Sequence, residues 1–301
     1  MDEKTLQVLL AVDGSPHSEV AVMLTAGVAW PPGTTAHALA VVPERWSLSG
    51  LGPEAQRVVD ETVAKVRQVE WASAERIAAQ AAERLRARGL TAEPETREGR
   101  PSEVILQRAA ELPADLIVIG ARGLSAPDEF QLGSTAHKLA HYAACSVLVT
   151  RPPELTQPLS VIRAADGSPE ARRAAEFLCA LSLPQWAEVT VVSVAEAAVA
   201  LPAGEREPVA NVPEVVRRAL LDAAEVRAAE VTGRLSGCGA QVRSAIRFGH
   251  PSGEILAAAR EQDADLIVIG ARGQTRAAPF PLGGVAQKVV KYAPCSVLVV
   301  R

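Results

Sequence analysis

Four runs in the first half of the chain are apolar without alternating polar positions: Leu6–Val12, Ala36–Val42, Asp115–Ile119 and Ser146–Thr150. Thr91–Thr96 is a fifth, weaker run. Helical patterns lie between them. One runs from Pro16 to about Trp30, and a long one from about Pro53 to Gly89 carries Val58, Val59, Val63, Val66, Val69 and Ile77. Two shorter ones span Pro101–Glu111 and Gly133–Tyr142. Ser15 suits a helix cap with Pro16 at the first helical position, and Gly89 suits a helix stop. Strands that are apolar on both faces and separated by helices predict a parallel sheet covered on both sides. Right-handed crossovers make that sheet doubly wound, with any ligand beyond the carboxyl ends of the strands. Asp13 and Gly120 both fall at such ends.

The whole pattern occurs twice. ADLIVIGARG at residues 114–123 returns at 264–273, and Tyr142–Arg151 returns as Tyr292–Arg301. Val12-Asp13-Gly14-Ser15-Pro16 is echoed by Ala165-Asp166-Gly167-Ser168-Pro169. An interval of about 150 residues is a whole domain, since solenoid repeats run roughly 20–50 residues. The expected division is a first domain over residues 1–151, a proline-rich linker over 152–158 and a second domain over 159–301.

Composition narrows the functional classes. The net charge of −4 comes from the first half, and neither half clusters its basic residues as phosphate-backbone binding requires. No apolar run reaches the roughly 18–20 residues of a membrane helix, and the amino terminus lacks the apolar core of a secretory signal. A cytoplasmic protein is expected, with neither nucleic acid nor membrane as partner. The four cysteines (Cys145, Cys179, Cys238, Cys295) form no CxxC pair and are expected to be reduced, apolar residues. Cys145 and Cys295 open the last strand of each half.

The chemistry concentrates after the strand at 116–120. Gly120-Ala-Arg122-Gly123 is followed by nine residues and then by Gly133-Ser134 at a helix start. Glycines let backbone N–H groups approach an anion, and a helix amino terminus adds partial positive charge. The Ser134 hydroxyl can reach a phosphate oxygen or a metal held by it, and Asp13 can accept from a ribose hydroxyl. The plainer reading makes the glycines tight-turn residues and Asp13 a cap for the following helix. Arg122 and Arg272 suit a phosphate clamp or a salt bridge. Trp46 suits an adenine cover or a subunit contact. His137 and His141, four apart on one helix, have metal-ligand spacing, but a solvated helix face is the expected reading.

The pattern G-x2-G-x9-G-[S/T], the Val12-Asp13-Gly14-Ser15 turn, the Gly99-Arg100-Pro101 turn (Gly249-His250-Pro251 in the second copy) and the final Cys-Ser-Val-Leu-Val strand together resemble the ATP-binding universal stress proteins. The resemblance implies two tandem doubly wound five-stranded parallel sheets, order 3-2-1-4-5, of the adenine nucleotide alpha hydrolase-like type. It implies ATP as cofactor, with Mg2+ held by the phosphates. Asp13 and the backbone near Val41 would hold adenosine; Gly120, Gly123, Gly133, Ser134 and the Thr135 amide would hold phosphates, with Arg122 beside them. It also implies pairing of the two domains through their last strands, and allows a homodimer. The second copy keeps Asp166, Gly270, Gly273 and Gly283 but has Gly284 in place of the hydroxyl residue, and Arg163 in a central strand where the first has Leu10. Its loop carries Arg276 where the first has Asp128 and Glu129. A direct hydrogen bond outweighs screened loop charges, so the first site is expected to be the stronger.

No Walker lysine follows the glycines, and no base with metal-binding carboxylates accompanies them. A nucleotide-dependent stress-response module without efficient catalysis is therefore expected. A slow ATPase or related nucleotide-using enzyme, and a scaffold with vestigial sites, are the competing accounts.

Overall fold

The computed structural model describes residues 5–44, 52–124, 132–152, 159–181, 183, 186–200, 206–208, 211–274 and 282–301. The first half runs β1 (Gln7–Val12), α1 (Pro16–Gly27), β2 (Thr35–Pro43), α2 (Pro53–Arg86), β3 (Thr91–Gly99), α3 (Pro101–Glu111), β4 (Leu116–Gly120), α4 (Ser134–Tyr142) and β5 (Ser146–Thr150). The second runs β6 (Ser160–Ala164), α5 (Pro169–Ala180), β7 (Glu188–Ala195), β8 (Ala198–Ala200), β9 (Arg206–Pro208), α6 (Glu214–Leu235), β10 (Gln241–Phe248), α7 (Pro251–Glu261), β11 (Leu266–Gly270), α8 (Gly284–Tyr292) and β12 (Ser296–Val300). Each half has the expected strand order, β3-β2-β1-β4-β5 and β10-β7-β6-β11-β12. Strands β8 and β9 form a separate two-stranded sheet that the repeat pattern does not contain.

Burial on both faces explains the unbroken apolar runs. Val8, Leu9 and Leu10 are all fully buried. Leu9 faces a layer with Ile105, Leu139 and Val147, while Val8 and Leu10 face one with Ala21, Ala78 and Ala82. Each such leucine contributes on the order of 1.5–3 kcal/mol by leaving water. Alanine carries much of the helix face: Ala74, Ala78, Ala81 and Ala82 of α2 are buried at helical spacing, letting the helix axis approach the sheet. Helix α1 stops at Gly27, earlier than its apolar pattern suggests, because Pro31 and Pro32 follow and the Trp30 indole bonds back to the Thr25 carbonyl at 2.7 Å. Strand β3 runs further than expected, to Gly99. As an edge strand it tolerates Pro94, and its outer half is held by Glu95 and Arg97, paired with Arg108 and Glu111 of α3.

Strands β5 and β12 lie antiparallel, Val147 opposite Val299 and Val149 opposite Val297, which makes ten strands one continuous sheet. An arginine follows each of these strands. The Arg151 guanidinium donates to the carbonyls of Val290 (2.6 Å) and Cys295 (3.1 Å), at the carboxyl end of α8. Arg301 does the same to Ala140 (2.7 Å), His141 (3.3 Å) and Cys145 (3.2 Å), at the carboxyl end of α4. Cations are favoured at helix carboxyl ends, where carbonyls lack intrahelical partners.

The expectation for the cysteines is half corrected. Cys179, in the last turn of α5, and Cys238, just past α6, form a disulfide with Cα atoms 5.0 Å apart. The two lie 59 residues apart in sequence, and only the packing of α5 on α6 brings them together. Cys145 and Cys295 are free thiols, pushed up by burial to about 11 and about 12.

Candidate functional site

In the first half the carboxyl ends of β1 and β4 meet at Asp13. Its Oδ1 accepts from the Ser15 amide (3.0 Å) and its Oδ2 from the Leu124 amide (3.3 Å), tying the turn after β1 to the loop after β4. Ser15 caps α1, accepting from the Ser18 amide at 3.2 Å and donating to the Arg122 carbonyl at 3.2 Å. Two glycines are dictated by these approaches. A Cβ on Gly123 would lie 2.7 Å from Asp13 Oδ2, and one on Gly120 would lie 2.8 Å from the His17 backbone. The tight-turn reading of these glycines thus describes real contacts, whereas the cap of α1 is Ser15 and not Asp13, whose carboxylate keeps lone pairs beyond the two amides it accepts.

The Gly133 amide is also used internally, donating to the Ala121 carbonyl at 2.7 Å. That bond sets the start of α4 directly beside Gly120–Gly123. Helix α4 has no side-chain cap and no acidic residue in its first turn. The amide donors of Ser134, Thr135 and Ala136 therefore begin a helix whose amino end is uncapped by side chains. Ser134 is exposed there. Val41 lies near the carboxyl end of β2, beside β1. Two residues beyond it, Pro43 begins a cavity of about 460 Å³, lined also by Glu44, Val63, Arg67, Glu98 and Gly99.

Arg122 turns toward α1, its Nε donating to His17 Nε2 at 3.0 Å. That imidazole is buried, and its pKa is lowered, chiefly by desolvation and also by the charge of Arg122. An imidazole so held is neutral near pH 7. At the equivalent position of the second half stands Glu170, with Arg272 3.9 Å away. His17 is a site residue that the glycine motif gives no signal for.

The second half repeats the framework. Asp166 accepts from the Ser168 amide (2.9 Å) and the Gln274 amide (3.2 Å), and Gly273 and Gly270 abut Asp166 and Glu170 as their counterparts abut Asp13 and His17. Gly283 donates to the Ala271 carbonyl at 2.8 Å, and α8 is likewise uncapped by side chains. A Cβ on Gly284 would meet nothing within 4 Å, so packing does not require glycine at the start of this helix. Arg163 is fully buried and donates to the carbonyls of Ala164, Ala171 and Val268.

His137 and His141 stack with centroids 6.1 Å apart, and among the described residues no cluster of His, Cys, Asp or Glu is arranged to hold a metal. Trp46, Asp128, Glu129, Arg276 and nearly all of the linker lie outside the described residues. No described helix is long and apolar enough to cross a membrane.

Fold and framework together define a tandem α/β protein of the Rossmann-like, adenine nucleotide alpha hydrolase-like class. A sequence model of the universal stress protein family matches residues 5–151 and again residues 160–301, and the chain belongs to that family. A universal stress protein of Thermus aquaticus is 37% identical over 142 residues, 47% of this chain and 98% of its own length. One from Mycolicibacterium smegmatis is 27% identical over 316 residues, covering 98% of this chain and 96% of its own. The solved universal stress protein of Archaeoglobus fulgidus superimposes with a TM-score of 0.58 at 21% identity, over 99% of this chain and 97% of that one, a likeness of fold.

Proposed function

We propose that the first half binds an adenine nucleotide, ATP, and that the chain is a nucleotide-dependent stress-response module, with occupancy setting the conformation of its loops or the choice of partner. The observation that carries this reading is the amino end of α4, which has neither a side-chain cap nor an acidic residue in its first turn and is folded against the Gly120–Gly123 turn by the Gly133–Ala121 bond. A triphosphate suits that end: first-turn amides would take its oxygens, with the Ser134 hydroxyl as an added donor. The Asp13 lone pairs left by Ser15 and Leu124 would accept from ribose, and the base would lie toward Val41. Mg2+, where present, would be held by the phosphates and the Ser134 hydroxyl, since the described carboxylates form no cluster for it.

The chain's own residues supply binding and orientation. His17, the imidazole nearest the turn, is buried, neutral and engaged by Arg122, so it is poorly placed to take a proton from an attacking water. Pairing of the halves through β5 and β12 gives each the other as its sheet neighbour. Any association of two chains would then use a different surface, and light scattering would report a mass above the 31.6 kDa of one chain.

Titration of the purified chain with ATP tests the reading. Ser134→Ala removes one hydrogen bond to a charged acceptor, worth roughly 1.5–3 kcal/mol. The Kd should rise about tenfold to a hundredfold. An affinity unchanged in that variant would refute the assignment of the phosphates to α4.

A further inference from the structure

The two halves differ at the place where a nucleoside would sit. In the second half Arg227 of α6 lays its stem over Gly167, where an added Cβ would stand 3.1 Å from Arg227 Cδ, and its Nη2 donates to the Val194 carbonyl at 3.3 Å. Gln274 crosses from the loop after β11, its side-chain amide donating to the Asp166 carbonyl. Val194 of β7 and Asp166 are the repeats of Val41 and Asp13. The carboxyl ends of β6, β7 and β11 are thus bridged by two side chains from the same half.

In the first half the same positions are apolar. Ile77 of α2 replaces Arg227, its Cδ1 3.0 Å from where a Gly14 Cβ would stand, and Leu124 replaces Gln274 and is 73% exposed. Neither side chain can donate to a strand-end carbonyl. The position of Arg227 also argues against its serving as a phosphate ligand. The bonded carbonyl is on β7, across β6 from β11 and α8, so the guanidinium reaches to the base side of the crevice and away from the helix end suited to an anion.

We propose that Arg227 and Gln274 are an internal plug that closes the nucleoside pocket of the second half, so that one chain takes up one nucleotide, in its first half. This rests on the nucleotide reading above and deepens it, because the plug, and not only the missing hydroxyl at Gly284, separates the two sites. Two substitutions that copy the first half, Arg227→Ile and Gln274→Leu, should open a second pocket.

Equilibrium dialysis of the full chain against saturating ATP measures the stoichiometry. The unmodified chain should bind about one ATP and the R227I/Q274L chain about two. Ser134→Asp places a carboxylate at the first position of α4, where it favours the helix but repels phosphate. It should reduce these counts to none and one. Two ATP on the unmodified chain, or one on R227I/Q274L with its circular dichroism unchanged, would overturn the plug. No ATP on either chain would overturn the nucleotide reading and the plug with it. One ATP on the unmodified chain that persists in S134D would place it outside the first half and refute the assignment.

Discussion

Arg163 is fully buried, standing where the first half has Leu10. Its guanidinium bonds three backbone carbonyls, those of Ala164, Ala171 and Val268, but its Nε has no partner. Burial pushes its pKa down from 12.5 to about 10. At about 1.4 kcal/mol per unit, keeping the charge at neutral pH costs up to about 3 kcal/mol relative to the unfolded chain. The Asp166 carboxylate offsets only part of this. Arg163→Leu removes the charge and inserts the side chain that the equivalent position of the first half packs beside Ala21 and Ala78. A backbone carbonyl has two lone pairs, so the three acceptors need not lose their helix or sheet partners. We expect R163L to raise the urea midpoint, with a gain of about 1–3 kcal/mol, and Arg163→Ala to lower it, because a cavity then replaces the side chain. Equilibrium unfolding followed by far-ultraviolet circular dichroism measures both. A lower midpoint for R163L, with native spectra, would mean that the carbonyl bonds outweigh the desolvation, and the reasoning would fail.

The Cys179–Cys238 disulfide closes a loop with a sequence separation of 59 residues, which the chain-entropy relation values at about 4 kcal/mol; reductant or Cys179→Ser should lower Tm by several degrees, and an unchanged Tm would contradict it. The His17 pKa is lowered in the fold, so the unfolded chain takes up its proton first as pH falls. The fold should therefore lose stability from about pH 6.5 downward, until the folded pKa is passed, and His17→Gln should flatten that part of the curve in unfolding titrations at several pH values. At the seam, Arg151→Ala leaves a cavity where the buried side chain bonds Val290 and Cys295, and should cost on the order of 2–4 kcal/mol. Calorimetry should then resolve two transitions where the parent chain has one, and a single unshifted transition would show that the seam does not depend on Arg151.

Much of this molecule can be read from its apolar runs. Strands buried on both faces carry no polar alternation, so β1, β2, β4 and β5 declare both their type and the doubly wound sheet. The edge is harder to read, because β3 has solvent beside it and its sequence, with Pro94 and four charges, satisfies no core. Pairings distant in sequence leave no local trace. The disulfide depends on how α5 packs against α6, and the reach of Arg151 and Arg301 to opposite helix ends depends on the two halves being joined. Strands β8 and β9 lie outside the apolar pattern, and among the described residues of the first half no strand corresponds to them.

The candidate site presents a different difficulty. Asp13 and Asp166, Gly120 and Gly270, and Gly123 and Gly273 make the same internal contacts in both halves. Those contacts hold the turn after the first strand against the loop after the fourth, whether or not anything binds between them. Finding the motif therefore establishes the framework, and by itself says little about which half is occupied. The residues that distinguish the halves stand outside it: Ile77 against Arg227, Leu124 against Gln274, and Ser134 against Gly284. Two of these three pairs add a donor on the nucleoside side of the second half, and the third removes a donor on its phosphate side. All three changes act in the same direction, against nucleotide in the second half, while the framework they sit on is preserved.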